Sequence, residues 1–250
     1  MDNSYIEIGY KIVDADGNLP KKSTAGDDPL TEYIAPVNYG LHALFKNVDL
    51  YFNDVLINLS GGFHHYKEYL KVLLSYNNDY KNSVLRPAGW AEDDYRYPNS
   101  VVNANKGFWT RLGSIAKTDS KNHKVVEYSA EGGNFIGPLG IDYNGTPIIN
   151  GINIRLQYVL NDPKFFLFGS KRKIVNGAEI YPELDKEFRF VIHKFIIHGL
   201  VRELQPSIYE NIEYRLKTQP LIAGFKRYNM LLHSIPIGMT DWQSDSLLPS

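Results

Sequence analysis

The sequence predicts a mostly β protein, a β-sandwich or jelly roll with two short helices and long loops. Three observations carry this reading. Apolar and polar residues alternate with period two in several short runs; Gly, Pro, Asn and Asp separate those runs; and helical spacing occurs in two segments only. A chain of 250 residues buries about 70–75% of the surface its unfolded form exposes, so its core needs no disulfide or metal.

The first strand runs over residues 5–13, with Ile6, Ile8, Tyr10 and Ile12 on one face and Glu7, Gly9 and Lys11 on the other. Asp14-Ala15-Asp16-Gly17 then supplies turn chemistry. Residues 18–33 carry Pro20, Gly26, Pro29 and mixed charges and read as an exposed loop. The segment 41–58 reads as a strand pair joined at Asn53-Asp54, because Asn and Asp tolerate the left-handed conformation of a tight hairpin. From His64 to Tyr76, residues Tyr66, Tyr69, Leu70, Leu73 and Leu74 form the stripe of an amphipathic helix, with His65, Lys67, Glu68 and Lys71 on its other faces.

Residues 77–124 break every periodic run and read as a long irregular insertion of the kind that serves function or interaction. Strands resume at 125–128, at 152–160 and at 165–168. The segment 188–201 is apolar on both faces, which predicts a central strand covered on both sides. Pro206 opens a second helix over 207–217, with Ile208, Ile212 and Leu216 in one stripe. A last strand is expected from Arg227 to Ile235.

Chemistry is hard to find in this chain. The 27 Lys and Arg nearly cancel the 28 Asp and Glu, which argues against a coat for polyanions. The absence of cysteine excludes disulfides, thiolate metal sites and a cysteine nucleophile. No P-loop, G-x-G-x-x-G, nucleophile elbow or H-E-x-x-H occurs. His64 and His65 are adjacent on a helix and diverge; His193 and His198 fall on opposite faces of a strand; His42, His123 and His233 have no partner at ligand spacing. All seven read as structural or surface groups. Glu92-Asp93-Asp94, the acidic run 183–187 and Lys171-Arg172-Lys173 read as solvated loops, and the sequons at Asn58 and Asn144 as chance matches. Neither a leader peptide nor an apolar run of about 20 residues is visible. Many tyrosines, among them Tyr76, Tyr80, Tyr95, Tyr97, Tyr143 and Tyr181, fall in loops or at strand ends, as core rim, subunit interface or sugar-binding surface.

Ala35-Pro36-Val37-Asn38, Leu41-His42-Ala43-Leu44-Phe45, Val48-Asp49-Leu50-Tyr51-Phe52-Asn53 and the helix with Tyr66, Tyr69, Leu70, Leu73, Leu74 and Tyr76 follow one another in order. This block resembles the major capsid proteins of Polinton/Maverick elements and adintoviruses. The likeness continues through Phe135 to Leu139, Ile148 to Leu156 and 188–201, and covers most of the chain. It implies a double jelly-roll fold, a structural rather than enzymatic role, and trimers that tile an icosahedral shell. The chain then corresponds to the N-terminal jelly roll over 1–204, lacking its first strand, with 77–124 as an inserted loop. Residues 205–250 supply a helix and the start of a second jelly roll, as in a truncated or relic copy or an excised fragment. The strand at 227–235 is a candidate to fill the missing place.

The expected function is therefore self-assembly through Tyr- and Phe-rich surfaces, with Trp90, Tyr95, Trp109 and Trp242 as interface anchors. Implied partners are further copies of the chain, as a homotrimer and neighbouring capsomers, and a penton or minor capsid protein. No cofactor, specific nucleic acid or membrane span is expected, and the implied location is the virion. The alternative is a jelly-roll module that binds carbohydrate or protein without assembling. A cupin-type enzyme is disfavoured, because the compact His-x-His set is missing.

Overall fold

The computed structural model describes residues 4–21, 32–94, 105–119, 124–141, 148, 151–171, 173–176, 178–180, 184, 186–200, 203–220 and 237–238. In chain order the elements are β1 (Tyr5–Asp14), β2 (Glu32–Pro36), α1 (Gly40–Ala43), β3 (Phe45–Phe52), β4 (Val55–Asn58), α2 (His64–Ser75), α3 (Asn78–Ser83), α4 (Lys106–Leu112), β5 (Ala116–Asp119), β6 (Lys124–Tyr128), β7 (Gly133–Pro138), β8 (Ile154–Leu160), α5 (Pro163–Phe166), β9 (Leu167–Lys171), β10 (Lys173–Val175), β11 (Ala178–Ile180), β12 (Phe188–His198) and α6 (Pro206–Leu216). The protein is mostly β, with every strand pair antiparallel. Two three-stranded sheets, β12-β1-β7 and β4-β3-β8, and the β2-β9 pair share one core; β5-β6 and β10-β11 form further pairs.

β1 folds as its pattern dictates. Ile6, Ile8, Tyr10 and Ile12 are buried. Tyr10 is stacked between Phe135 and Phe190, with ring centroids 4.5 and 4.4 Å away. The turn after β1 closes when Asp14 Oδ1 accepts from the Asp16 and Asn18 amides at 3.0 and 2.8 Å. The hairpin between β3 and β4 turns at Asn53 and Asp54, with φ of 47° and 65°.

Several elements differ from expectation. Residues 32–33 belong to β2, all five residues of which are buried, rather than to a loop. The Tyr128 hydroxyl binds this strand, donating to Glu32 O at 2.6 Å and accepting from the Ile34 amide at 3.2 Å. Tyr128→Phe is therefore expected to cost about 1–2 kcal/mol, because it strands a buried amide and carbonyl. A urea midpoint equal to the parent's would count against this.

Residues 40–43 form the helical turn α1, not strand; it starts after Tyr39 in the left-handed conformation, φ 59°. The stretch 77–124 is more ordered than an irregular loop. It contains α3 and α4, whose first turns are capped by Asn77 and Asn105, and then the β5-β6 hairpin. Phe165 and Phe166 sit in α5 rather than in a strand, since Asp162 caps the turn and Pro163 starts it. The expected strand at 227–235 lies outside the described residues.

Candidate functional site

In the two larger sheets, β8 and β12 are each an outermost described strand. They meet where Tyr158 and Phe195 pack edge to face at 5.3 Å. Register places Phe195 and Ile197 opposite Ile8 and Ile6, so they share the inward face, yet each stays 42% exposed. Ile154 and Leu160 at the ends of β8 are 48% and 49% exposed. Val191 and Ile196 lie on the outer face of β12 and are exposed too. The expectation of a central strand covered on both sides is thus corrected: among the described residues β12 is an edge strand, and no described element covers that edge. α6 continues the open region in sequence; none of its residues is buried, and Ile208, Tyr209, Tyr214 and Leu216 are exposed. An unpaired apolar edge of this kind marks a surface that another chain segment or subunit covers.

Polar groups on the outer face tie β12 to β1 and β7. Glu7 accepts from Lys194 Nζ at 2.5 Å and from Asn134 Nδ2 at 2.9 Å, and its other oxygen lies 3.3 Å from His198 Nε2. The Lys194 hydrogen bond, more than any other contact, holds the Glu7 carboxyl down at about 2.

α2 forms where its spacing predicts, but it is turned over. Its buried residues are His64, His65, Glu68 and Val72, while Tyr66, Tyr69, Leu70, Leu73 and Leu74 face outward. The ground beneath α2 is polar, which explains the inversion. His42 Nδ1 on α1 lies 3.0 Å from His64 Nε2. Asn161 Nδ2 donates to Ala43 O at 2.8 Å and reaches His65 Nδ1 at 3.2 Å. Glu68 lies within 3.2 Å of Lys67 Nζ and 3.8 Å of Lys71 Nζ. Burial depresses the basicity of His64 strongly and that of His65 more mildly. Burial also raises the Tyr39 hydroxyl well above its ordinary value. The His42–His64 pair escapes a sequence reading, since 22 residues and two elements separate its members.

A cleft of about 220 Å3 opens between α4 and the first sheet, lined by Tyr10, Arg86, Trp90, Arg111, Ser114 and Phe135 among others. It is smaller than the roughly 300–1,000 Å3 of common small-molecule sites. Arg111 is buried at its edge, donating from Nε to Pro36 O at 2.8 Å, from Nη1 to Ala91 O, and from Nη2 to Asp93 Oδ1 at 2.7 Å. The Arg111 guanidinium is thereby committed to holding α4, the end of β2 and the 91–93 segment together. Among the described residues no group of three or more His, Cys, Asp or Glu is placed to hold a metal ion.

The expected interface anchors do not converge. Trp90 is 3% exposed and sits in the core against Tyr39 and Tyr69, which leaves no surface for a neighbouring subunit to cover. Trp109 is half-buried and packs edge-on against Tyr33 at 5.7 Å. Tyr95 and Trp242 lie outside the described residues. The sequon at Asn58 is structural, since Asn58 is buried and the Ser60 hydroxyl donates to Val48 O at 2.7 Å and accepts from its amide at 3.0 Å.

Comparison with known proteins places this chain beside an uncharacterized protein of Caenorhabditis elegans. The two are 26% identical over 234 residues, which is 90% of this chain and 48% of that protein. The chain thus spans about half the length of the curated relative it matches. No protein-family profile matches the chain, and no solved structure matches it significantly. No helix among the described residues is long and apolar enough to cross a membrane.

Proposed function

We propose that the chain is a jelly-roll unit of a capsid-type shell protein and works by self-association into trimeric capsomers. The observation that carries this reading is an apolar sheet edge that no described element covers. Two sheet edges, β8 and β12, lie together there with Ile154, Leu160, Phe195 and Ile197 exposed between and beside them. A stable isolated domain rarely leaves so much apolar edge uncovered, whereas a subunit or half of a longer chain presents it to its neighbour. The sequence resemblance to Polinton and adintovirus capsid proteins supports the same reading, and so does a relative about twice as long.

The reading is tested by size-exclusion chromatography with light scattering and by negative-stain microscopy of the full chain. A trimer or larger particle is expected. The paired change Leu160→Asp and Ile197→Asp should convert it to a folded monomer, because both side chains are exposed at the edge and charge there opposes burial. A parent chain that stays monomeric and soluble at micromolar concentration would sink the proposal.

A further inference from the structure

We propose that α2 is a pH-operated latch: the contact between His42 and His64 seats the helix on α1 while the pair carries no net charge, and proton uptake there unseats it. The geometry leaves the pair little alternative. Both residues are 1% exposed, and their ring nitrogens meet at 3.0 Å. Such a contact is satisfied when one nitrogen carries its hydrogen and the other offers a lone pair. A first added proton places a net charge in a buried space; a second sets two N–H groups and two charges against each other.

The rings cannot separate in place. Gly140, at φ +75°, lies against them so tightly that a Cβ there would come within 2.6 Å of His64 Cε1 and 2.9 Å of His42 Cε1. Relief comes from moving α2 rather than from a rotamer change or an admitted water.

The charged groups on the elements around the pair do little to welcome a proton. α2 itself brings His65, Lys67, Lys71 and the carboxylate of Glu68, which already lies beside both lysines. β3 brings Lys46 and Asp49, the latter accepting from the Ser60 amide at 2.8 Å. α5 brings Lys164, paired with Glu187 at 2.7 Å. β7 carries no ionisable side chain, and Tyr39 packs against His42 at 4.7 Å with its hydroxyl held protonated by burial. Burial and the neighbouring His42 and lysines hold the basicity of His64 well below 6.5. A group depressed in the seated state binds its proton first in the unseated one. Seating is therefore complete above pH 6.5 and weakens as pH falls below it. The helix released is unusual in that its other face is the bare stripe of Tyr66, Leu70, Leu73 and Leu74.

Hydrogen-exchange protection factors of the full chain at pH 7.5, 6.0 and 5.0 test the latch, with β1 amides as internal reference. Protection of α2 relative to β1 should hold at pH 7.5 and fall toward tenfold per pH unit below 6.5, the slope one proton gives. His64→Gln should flatten that dependence. An α2-to-β1 ratio that ignores pH, or one that falls equally in His64→Gln, overturns the proposal. If His64→Gln does not fold, the His64 Cε1–H resonance of the parent chain decides. It should stay at its neutral position until α2 protection is lost, and an ordinary titration near 6.5 with α2 still protected overturns the latch as well.

Discussion

Replacing Trp90 by alanine is expected to lower stability by about 4 kcal/mol while leaving the association of the folded molecules unchanged. The indole is 3% exposed and closes the core between Tyr39, edge-on at 5.8 Å, and Tyr69 at 5.6 Å. Its backbone is fixed as well: the Trp90 amide donates to Leu85 O at 3.1 Å, and the next amide donates to Asn38 Oδ1 at 2.9 Å. The surroundings therefore collapse poorly into the space left, which places the cost at the upper end for a large core side chain. For a chain of this size, that stability loss corresponds to a melting point about 8–16 °C lower. Thermal melts read the loss, and light scattering well below the melting point reads the association. A variant that melts with the parent but no longer associates would restore Trp90 as an interface anchor.

How much of this was legible in the sequence depended on the range of the interaction. β1 was legible because its alternation is local and one face meets the core. The β3–β4 hairpin was legible because Asn53 and Asp54 carry their own backbone preference. α2 was legible as a helix but not in its orientation. Periodicity reports that two faces differ, and only the ground beneath decides which is buried. Here that ground offered His42 and Asn161, so the polar face went in. β2 was hidden by its setting: Pro and charge precede it, and its partner β9 lies more than 130 residues away in the chain. β12 misled for the opposite reason. Its residues are apolar on both faces, as in a central strand, yet its inner edge meets β1 and no described strand pairs with its outer edge. In an assembling protein that pattern has a second origin, because a surface destined for burial by a neighbour is selected like core.

The side chain with the largest share of unlike tasks is Arg111, and Arg111→Met is expected to cost about 3 kcal/mol. Methionine keeps most of the volume, so the loss measures the guanidinium rather than a cavity. Three contacts disappear together: Pro36 O at the end of β2, Ala91 O, and Asp93 Oδ1. Hydrogen bonds to a charged donor are worth about 1.5–3 kcal/mol each, but relief of the desolvation of a buried cation offsets part of that sum. What remains is mainly the two carbonyls left without their donor. Arg111→Lys should recover little, since an ammonium cannot fork toward acceptors in three directions. Asp93→Asn should cost under about 1 kcal/mol, because the Asp93 side chain is 38% exposed and water takes the place of the lost charge. Urea midpoints should therefore rank the parent above Asp93→Asn, and that above Arg111→Lys and Arg111→Met. If Asp93→Asn cost as much as Arg111→Met, the ion pair rather than the carbonyl clamp would be what holds α4 to the sheets.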